Sequence, residues 1–299
     1  MSDYAISCCS TADLSHEWYE KRDIAVVPFH IIVGKDDLED DMGVTITQEE
    51  LFRRMLSGEE AHSSQVSTDA YINHFEPMLK QGKDILHITL SSGISGTLNS
   101  AMAAKAELQE KYPYRKIIIV DSLNGSSGYG MVVDLAADLR DEGKTIDEVQ
   151  DYLEAHLQEF NTWVLSTDLT FLIKGGRVKP AAGAIGKLLN ICPFVTLTQT
   201  GSLAVVEKIR TKKKALARLV EIMKERADKG LSYEGKCFIS HSDPALGQEL
   251  KAQVEASFPQ LKGKIATFLV GGTIGVHLGP GTVVLFFRGP EGQKRDFTA

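Results

Sequence analysis

Through the first 160 residues, short apolar runs alternate with amphipathic stretches. YAISCC (4–9), IAVVPFHIIV (24–33), ILHITL (85–90) and KIIIVD (116–121) have the length and composition of strands. The last two are unbroken enough to be buried parallel strands. Helix signals lie between them. Thr47-Gln48-Glu49-Glu50 is a capping box opening EELFRRML: Thr47 can accept from an orphan N–H while Glu50 reaches back. Asp69 to Lys80 reads as a helix stopped by Gly82, and GTLNSAMAAKAELQEKY as one that ends before Pro113. Thr145-Ile146-Asp147-Glu148 is a second capping box, opening DEVQDYLEAHLQEF. This alternation predicts a layered, Rossmann-like α/β domain with a parallel sheet. DDLEDD (36–41) reads as a solvated loop.

The rhythm then changes. WVLSTD, PFVTLT, SLAVVEK, KCFISH, KIATFLV and TVVLFF are six further strand candidates. Segments 193–198 and 202–208 flank a tight Gln199-Thr200-Gly201 turn, a hairpin signal. A hairpin among alternating helices and strands predicts an α+β second domain on a mixed six-stranded sheet. The boundary falls near Asn161, giving domains 1–160 and 161–299.

Composition narrows the possibilities. The chain has 299 residues, 43% hydrophobic and 24% charged, which excludes a disordered, collagen-like or coiled-coil protein and suits two domains with real cores. A net charge of -7 lacks the footprint of a nucleic-acid or anionic-membrane binder, unless basic residues are locally concentrated. Cys8, Cys9, Cys192 and Cys237 follow no zinc spacing and read as core thiols in a reducing compartment. MSDYAISCCSTADLSHEW has no basic region followed by an apolar one, so no signal peptide is expected. No apolar run approaches 18 residues, so no membrane span is expected either. These features predict a soluble cytoplasmic protein.

Five segments carry candidate chemistry. Leu90-Ser91-Ser92-Gly93-Ile94-Ser95-Gly96-Thr97 lies between a buried strand and a helix. Its glycines let backbone approach a ligand, its hydroxyls cluster, and the helix start offers free N–H groups: an anion cradle, or else an N-cap of small residues. It is no P-loop, since no G-K-[ST] follows, and it misses the G-x-S-x-G spacing of a nucleophile elbow. His62-Ser63-Ser64-Gln65-Val66-Ser67 is a polar loop and N-cap that could add a donor. In Leu172-Ile173-Lys174-Gly175-Gly176-Arg177-Val178 the glycines free the backbone to turn a guanidinium inward, where it suits a carboxylate; a helix C-cap with a surface arginine is the alternative. Gly271 to Gly281 is a loop with five glycines around His277, denser than core packing needs. Arg210-Thr211-Lys212-Lys213-Lys214 opens a helix running to Lys229, with Leu216, Leu219, Val220, Met223 and Ala227 on its buried face. Cations there oppose the helix dipole at a cost of roughly 0.3–1 kcal/mol each. They are either solvated surface lysines or a dock for a phosphate-bearing or acidic partner.

Taken together and in this order, these segments resemble the DegV family of bacterial fatty-acid-binding proteins, over essentially the whole chain. The resemblance implies a two-domain DegV-like fold with one long-chain fatty acid buried between the domains. It also implies a fatty-acid kinase as partner, which makes an acyl phosphate for phospholipid synthesis, and no catalysis, cofactor or metal in the carrier itself. The family's carboxylate-binding threonine falls at Ser63, its binding serine at Ser95, its pocket arginine at Arg177 and its pocket histidine at His277. Ser64, Ser92, Gly93, Gly96, Thr97 and Gly176 fall in the supporting loops, and Arg210 matches an arginine of the kinase step. Two positions depart from the pattern. The family's D-S-T is Cys9-Ser10-Thr11, which loses the aspartate, and its T-S-Q-P is Ser63-Ser64-Gln65-Val66, which loses a rigid turn.

A buried carboxylate must be hydrogen-bonded to offset its desolvation, and two hydroxyls, Arg177 and His277 supply that without a metal. An esterase or acyltransferase using Ser95, His277 and Asp121 is the competing expectation. A nucleotide or phosphosugar site in the glycine-rich loops is a third, disfavoured by the missing lysine and fingerprint acid.

Overall fold

The computed structural model of the chain describes residues 4–179 and 191–297. Its first layer is a parallel sheet in the order β2-β1-β6-β7, from β2 (Ile24–Val27), β1 (Tyr4–Cys9), β6 (Asp84–Thr89) and β7 (Ile117–Asp121). β6 is central and buried beyond its first residue, as a continuous apolar run requires. α3 (Thr68–Lys80) and α4 (Thr97–Lys111) pack on each other and on β6 and β7 respectively. The helices α5 (Ser126–Asp141) and α6 (Ile146–His156) follow.

The second sheet is mixed and six-stranded, in the order β10-β9-β8-β13-β11-β12. Its strands are β8 (Phe160–Leu165), β9 (Ile191–Leu197), β10 (Leu203–Arg210), β11 (Cys237–His241), β12 (Ala266–Leu269) and β13 (Val283–Arg288). The β9–β10 pair is antiparallel around the Gln199–Gly201 turn, as expected. β13 shows why both faces are buried. Val283, Leu285 and Phe287 join a core under α8 (Lys212–Arg226) and α9 (Pro244–Ser257). Val284 and Phe286 point the other way, into the larger core shared with the parallel sheet. Asn161 is the second residue of β8, and that larger core runs on across it.

α5 lies in the seam, packed on β1 and also on β8, β11 and β13. Two glycines permit this. A Cβ at Gly128 would come within 2.6 Å of the Phe286 ring, and one at Gly130 within 2.5 Å of the Ala12 carbonyl. The sequence reading marks no helix there, because Ser126-Ser127-Gly128-Tyr129-Gly130 looks like a loop.

Several expectations are corrected. The run 24–33 is two strands, broken at Pro28, which has no N–H to donate. β3 (His30–Val33) leaves the parallel sheet and joins β4 (Asp36–Glu39) and β5 (Ala61–Ser64) in a small antiparallel sheet, ordered β4-β3-β5. The 36–41 segment therefore carries a largely exposed strand, Asp36–Glu39, rather than a loop, and the buried Asp40 follows it. The 62–67 segment is strand β5 followed by Ser67, which caps α3. α2 (Gln48–Leu56) has only half of its capping box: Thr47 accepts from the Glu50 N–H, but the Glu50 carboxylate turns to Arg53. The Thr145–Glu148 box is complete. The glycine-rich histidine segment is not a loop; it forms α10 (Gly272–Leu278), packed with α2 on the small sheet through Ile31, Val33, Leu51, Phe52, Met55 and Val276. Arg210 ends β10 instead of opening a helix, and α8 stops at Arg226, although its five expected core residues are all buried. The four cysteines are buried and unbridged, and burial pushes the Cys9 thiol up to about 11 and that of Cys237 to about 12.

Candidate functional site

A cavity lies where the mixed sheet meets the small sheet and the turns that follow β6 and β7 of the parallel sheet. Phe29, Leu90, Ile94, Leu172, Leu197, Leu203, Ile274, Leu278, Val284 and Phe286 give it apolar walls. Ser63, Ser95, Arg177 and His277 line it too, from four different elements. Thus Ser63 and His277, 214 positions apart in sequence, share one chamber, which also takes in the hydroxyl residues Ser126, Thr162 and Thr273.

Ser95 sits in the turn between β6 and α4. That turn is held by its own polar groups: Ile94 and Ser95 N–H both donate to the Ser91 carbonyl at 3.1 Å, and Gly93 N–H donates to Ser91 Oγ at 3.1 Å. The hairpin turn presses on it from outside. A Cβ at Gly93 would lie 2.5 Å from the Gly201 carbonyl carbon, and Ser91 Oγ donates to the Gly201 carbonyl at 2.9 Å. Thr97, buried at the first turn of α4, donates its N–H to Ser95 Oγ at 3.2 Å. That bond uses one of the two acceptor positions on Ser95 Oγ and leaves the hydroxyl proton free to donate.

Ser63 and His277 form a second pair, with Ser63 Oγ 2.8 Å from His277 Nε2. His277 Nδ1 is buried without a hydrogen-bond partner. Unpaired N–H groups are the rarer buried orphans, so the imidazole proton belongs on Nε2, donating to Ser63. The Ser63 hydroxyl then also has its proton free. Burial, then the charge of Arg177, pushes the His277 pKa down to about 4, so the ring is neutral at neutral pH.

Arg177 follows α7 (Thr170–Lys174), which ends at Gly175. Gly176 has φ +73°, the left-handed turn that swings the chain inward. The guanidinium is half-buried and donates through Nε to the Ile94 carbonyl at 3.1 Å and through Nη1 to the Gly175 carbonyl at 2.6 Å. It thereby ties α7 to the Ser95 turn. Gly175 is the position sequence reasoning undervalued: a Cβ there would overlap His277 Nδ1, so the imidazole can lie on it only because it is glycine. The doublet Gly175-Gly176 was legible; which glycine receives the ring was not.

Other expected residues fall outside the lining. Ser64, Ser92, Gly93 and Gly96 are exposed, and Gly96 packs under Gln65. Arg210 is exposed at the end of β10, seven residues beyond the wall residue Leu203, or about 23 Å along an extended strand. Thr273 and Ile274 were missed because 271–281 was read as a loop; on a helix they share a face with His277 at i, i+4 and i, i+3. Asp121 accepts from the Ser92 and Leu123 N–H groups. Among the described residues no hydrogen bond joins Ser95 to His277 or His277 to Asp121.

The chemistry is that of a monoanion receptor. Arg177 is the one charged group among the described lining residues, beside two donor hydroxyls and a neutral imidazole.

A family model described as "Uncharacterised protein, DegV family" matches residues 4–289. A DegV domain-containing protein of Clostridium perfringens is 31% identical over 289 residues, covering 97% of this chain and 98% of the relative. A DegV family protein from Thermus thermophilus, described for its fatty acid binding, superposes with a TM-score of 0.85 at 26% identity, covering 96% of this chain and 100% of its own. The Fatty Acid Kinase (Fak) B3 protein of Streptococcus pneumoniae, solved loaded with linoleic acid, has the same fold: TM-score 0.83, 23% identity, 97% and 100% coverage.

Proposed function

Because this chain belongs to the DegV family, we propose that it is a carrier: it binds one long-chain fatty acid in this cavity and presents the carboxylate to a fatty-acid kinase. The observation that carries the reading is the meeting of Ser63, Ser95, Arg177 and His277 in a chamber otherwise walled by apolar side chains. The carboxylate accepts hydrogen bonds from the Ser63 and Ser95 hydroxyls and meets the charge of Arg177, so its desolvation is offset without a metal. Neutral His277 orients Ser63 and adds no second charge. The acyl chain lies along Leu90, Ile94, Leu203, Ile274 and Phe286, where each buried CH₂ contributes about 0.8 kcal/mol.

The carrier works in the cytoplasm, and the domains expected at 1–160 and 161–299 meet at β8 over the shared core, with the acid between them. The kinase phosphorylates the carboxylate to an acyl phosphate for phospholipid synthesis. Exposed Arg210, with Lys212 to Lys214 beside it, faces that partner. A serine-hydrolase role for Ser95 lacks support: its Oγ accepts from the Thr97 N–H, and His277 is paired with Ser63. A protein of the same fold being a fatty acid kinase B3 protein supports the kinase reading.

Gentle purification followed by lipid extraction and mass spectrometry is expected to yield about one long-chain acid per chain. Its absence, together with no uptake of added oleate or palmitate, would overturn the reading. Arg210→Ala is expected to keep the acid but slow phosphorylation by the kinase; undiminished phosphorylation removes that role.

A further inference from the structure

The site's histidine stands on α10, a helix of seven residues that has little means of holding itself in place. Two turns are marginal alone, and Gly272 and Gly275 lower the helical preference further. The N-cap residue is Gly271, which has no side chain to satisfy the first orphan N–H groups. Those groups are met from far away in the sequence. Asp40 Oδ1 accepts from the Gly272 N–H at 2.9 Å, and Asp40 Oδ2 from the Thr273 N–H at 3.1 Å.

From this geometry we infer that Asp40 is a positioning residue for His277, aiming the imidazole at Ser63 and the bound carboxylate by holding the N-terminus of α10. The inference rests on the fatty-acid reading of the cavity. Asp40 follows β4 directly, and Ser63 belongs to β5 of the same three-stranded sheet. One sheet therefore grips the helix twice, through Asp40 at its start and through the Ser63–His277 bond near its end. Thr273 and His277 are four residues apart, so the end held by Asp40 and the ligand ring lie on one helical face. The seat between the grips is tight: a Cβ on Gly272 would overlap Ile31 of β3.

Asp40 is suited to this task in other ways. It is 2% exposed, and Ser10 Oγ donates to its Oδ2 at 3.3 Å, so the carboxylate has donors on both oxygens. Burial raises the Asp40 pKa, and the hydrogen bonds from Thr273, Gly272 and Ser10, with the helix dipole, oppose that shift. Asp13 is buried beside it: its Oδ2 accepts from Ser126 Oγ at 2.5 Å, while its Oδ1 lies against Gly271 without a hydrogen-bond partner, so of the two carboxylates only Asp40 bonds the Gly272 and Thr273 N–H groups.

The test is a double-mutant cycle in oleate binding, read together with ¹H–¹⁵N imidazole spectra of the ligand-free protein. Asp40→Ala is expected to weaken oleate binding roughly tenfold, the worth of a helix cap. It should also move the His277 Nε2 resonance. In a His277→Ala background the same change is expected to cost almost nothing, because no ring is left to aim. Asp40→Asn keeps one acceptor and is expected to recover part of the loss; it carries the same cycle if Asp40→Ala does not fold. Unchanged binding in both Asp40 variants, or a full loss that persists without His277, overturns the inference. If the parent protein takes up no oleate, the fatty-acid reading fails, while an unmoved resonance would refute the positioning role separately.

Discussion

His277 is neutral because burial and Arg177 hold its pKa near 4, and that has a consequence for stability. In the unfolded chain the ring titrates at about 6.5. Between these values the unfolded state binds the extra proton and the folded state does not, so stability falls as pH drops from 6.5 toward 4. The effect for this ring is about 2–3 kcal/mol by pH 4.5. His74 (also pushed to about 4 by burial) and His87 add to the same slope. Replacing the ring by an amide that can still donate to Ser63 isolates its share. His277→Gln is expected to flatten urea-denaturation stability between pH 7 and 4.5 by about that amount, and equal slopes in both proteins would refute the assignment. Much of this site was legible at the residue scale. Ser63, Ser95, Arg177 and His277 stood in motifs whose residue types suit a carboxylate, and the structure brings all four to one cavity. Asp40 was not legible, since its partners Gly272 and Thr273 lie more than 230 positions away and its own segment, DDLEDD, has the composition of a solvated turn.

At the scale of elements, the two glycines that close α7 do different work. Gly175 is packed against the imidazole of α10, whereas Gly176 has φ +73° with open space around its Cα. Gly175→Ala is therefore expected to push the ring from its seat and weaken oleate binding at least about tenfold, like other overpacking of a close contact. Gly176→Ala is expected to keep most binding and to cost about 1 kcal/mol of stability from backbone conformation. Isothermal titration and urea melts of the two variants separate these outcomes; equal binding losses would mean that the turn, and not the contact, governs the site. The same reasoning explains which elements were visible in sequence. Strands β6, β7 and β13 are buried on both faces and read as unbroken apolar runs, so their pattern survives. α5 and α10 did not, because tertiary contacts force glycines into them, at Gly128 against Phe286 and at Gly272 against Ile31. Glycine there records close packing between elements, yet locally it has the look of a loop.

At the scale of the molecule, the cavity walls come from the mixed sheet and from the turns that follow β6 and β7 of the parallel sheet, and α5 with the main hydrophobic core joins the two sheets. The Trp18 ring reinforces the joint: it meets Phe238 and Phe268 edge-on at 5.5 Å and donates its indole N–H to Asp134 on α5 at 2.8 Å. A net charge of -7 spread over the chain does not prevent it from holding an anion, because Arg177 stands inside the chamber without an acidic neighbour among the described lining residues. A ligand held in a chamber built from segments this far apart in sequence binds the folded state and not the unfolded chain, so it must raise stability by mass action. With free oleate at 100 times its Kd the gain is about 2.7 kcal/mol. On the proposed reading, removing endogenous lipid is expected to lower the melting temperature, and added oleate to restore it in a single transition. Arg177→Ala is expected to melt near the delipidated parent and to gain much less from oleate, having lost the charge that meets the carboxylate. Differential scanning calorimetry on both proteins, with and without oleate, decides the matter. An equal oleate shift in the variant would place the carboxylate elsewhere, and a shift confined to one of two separate transitions would place the acid within one half of the molecule.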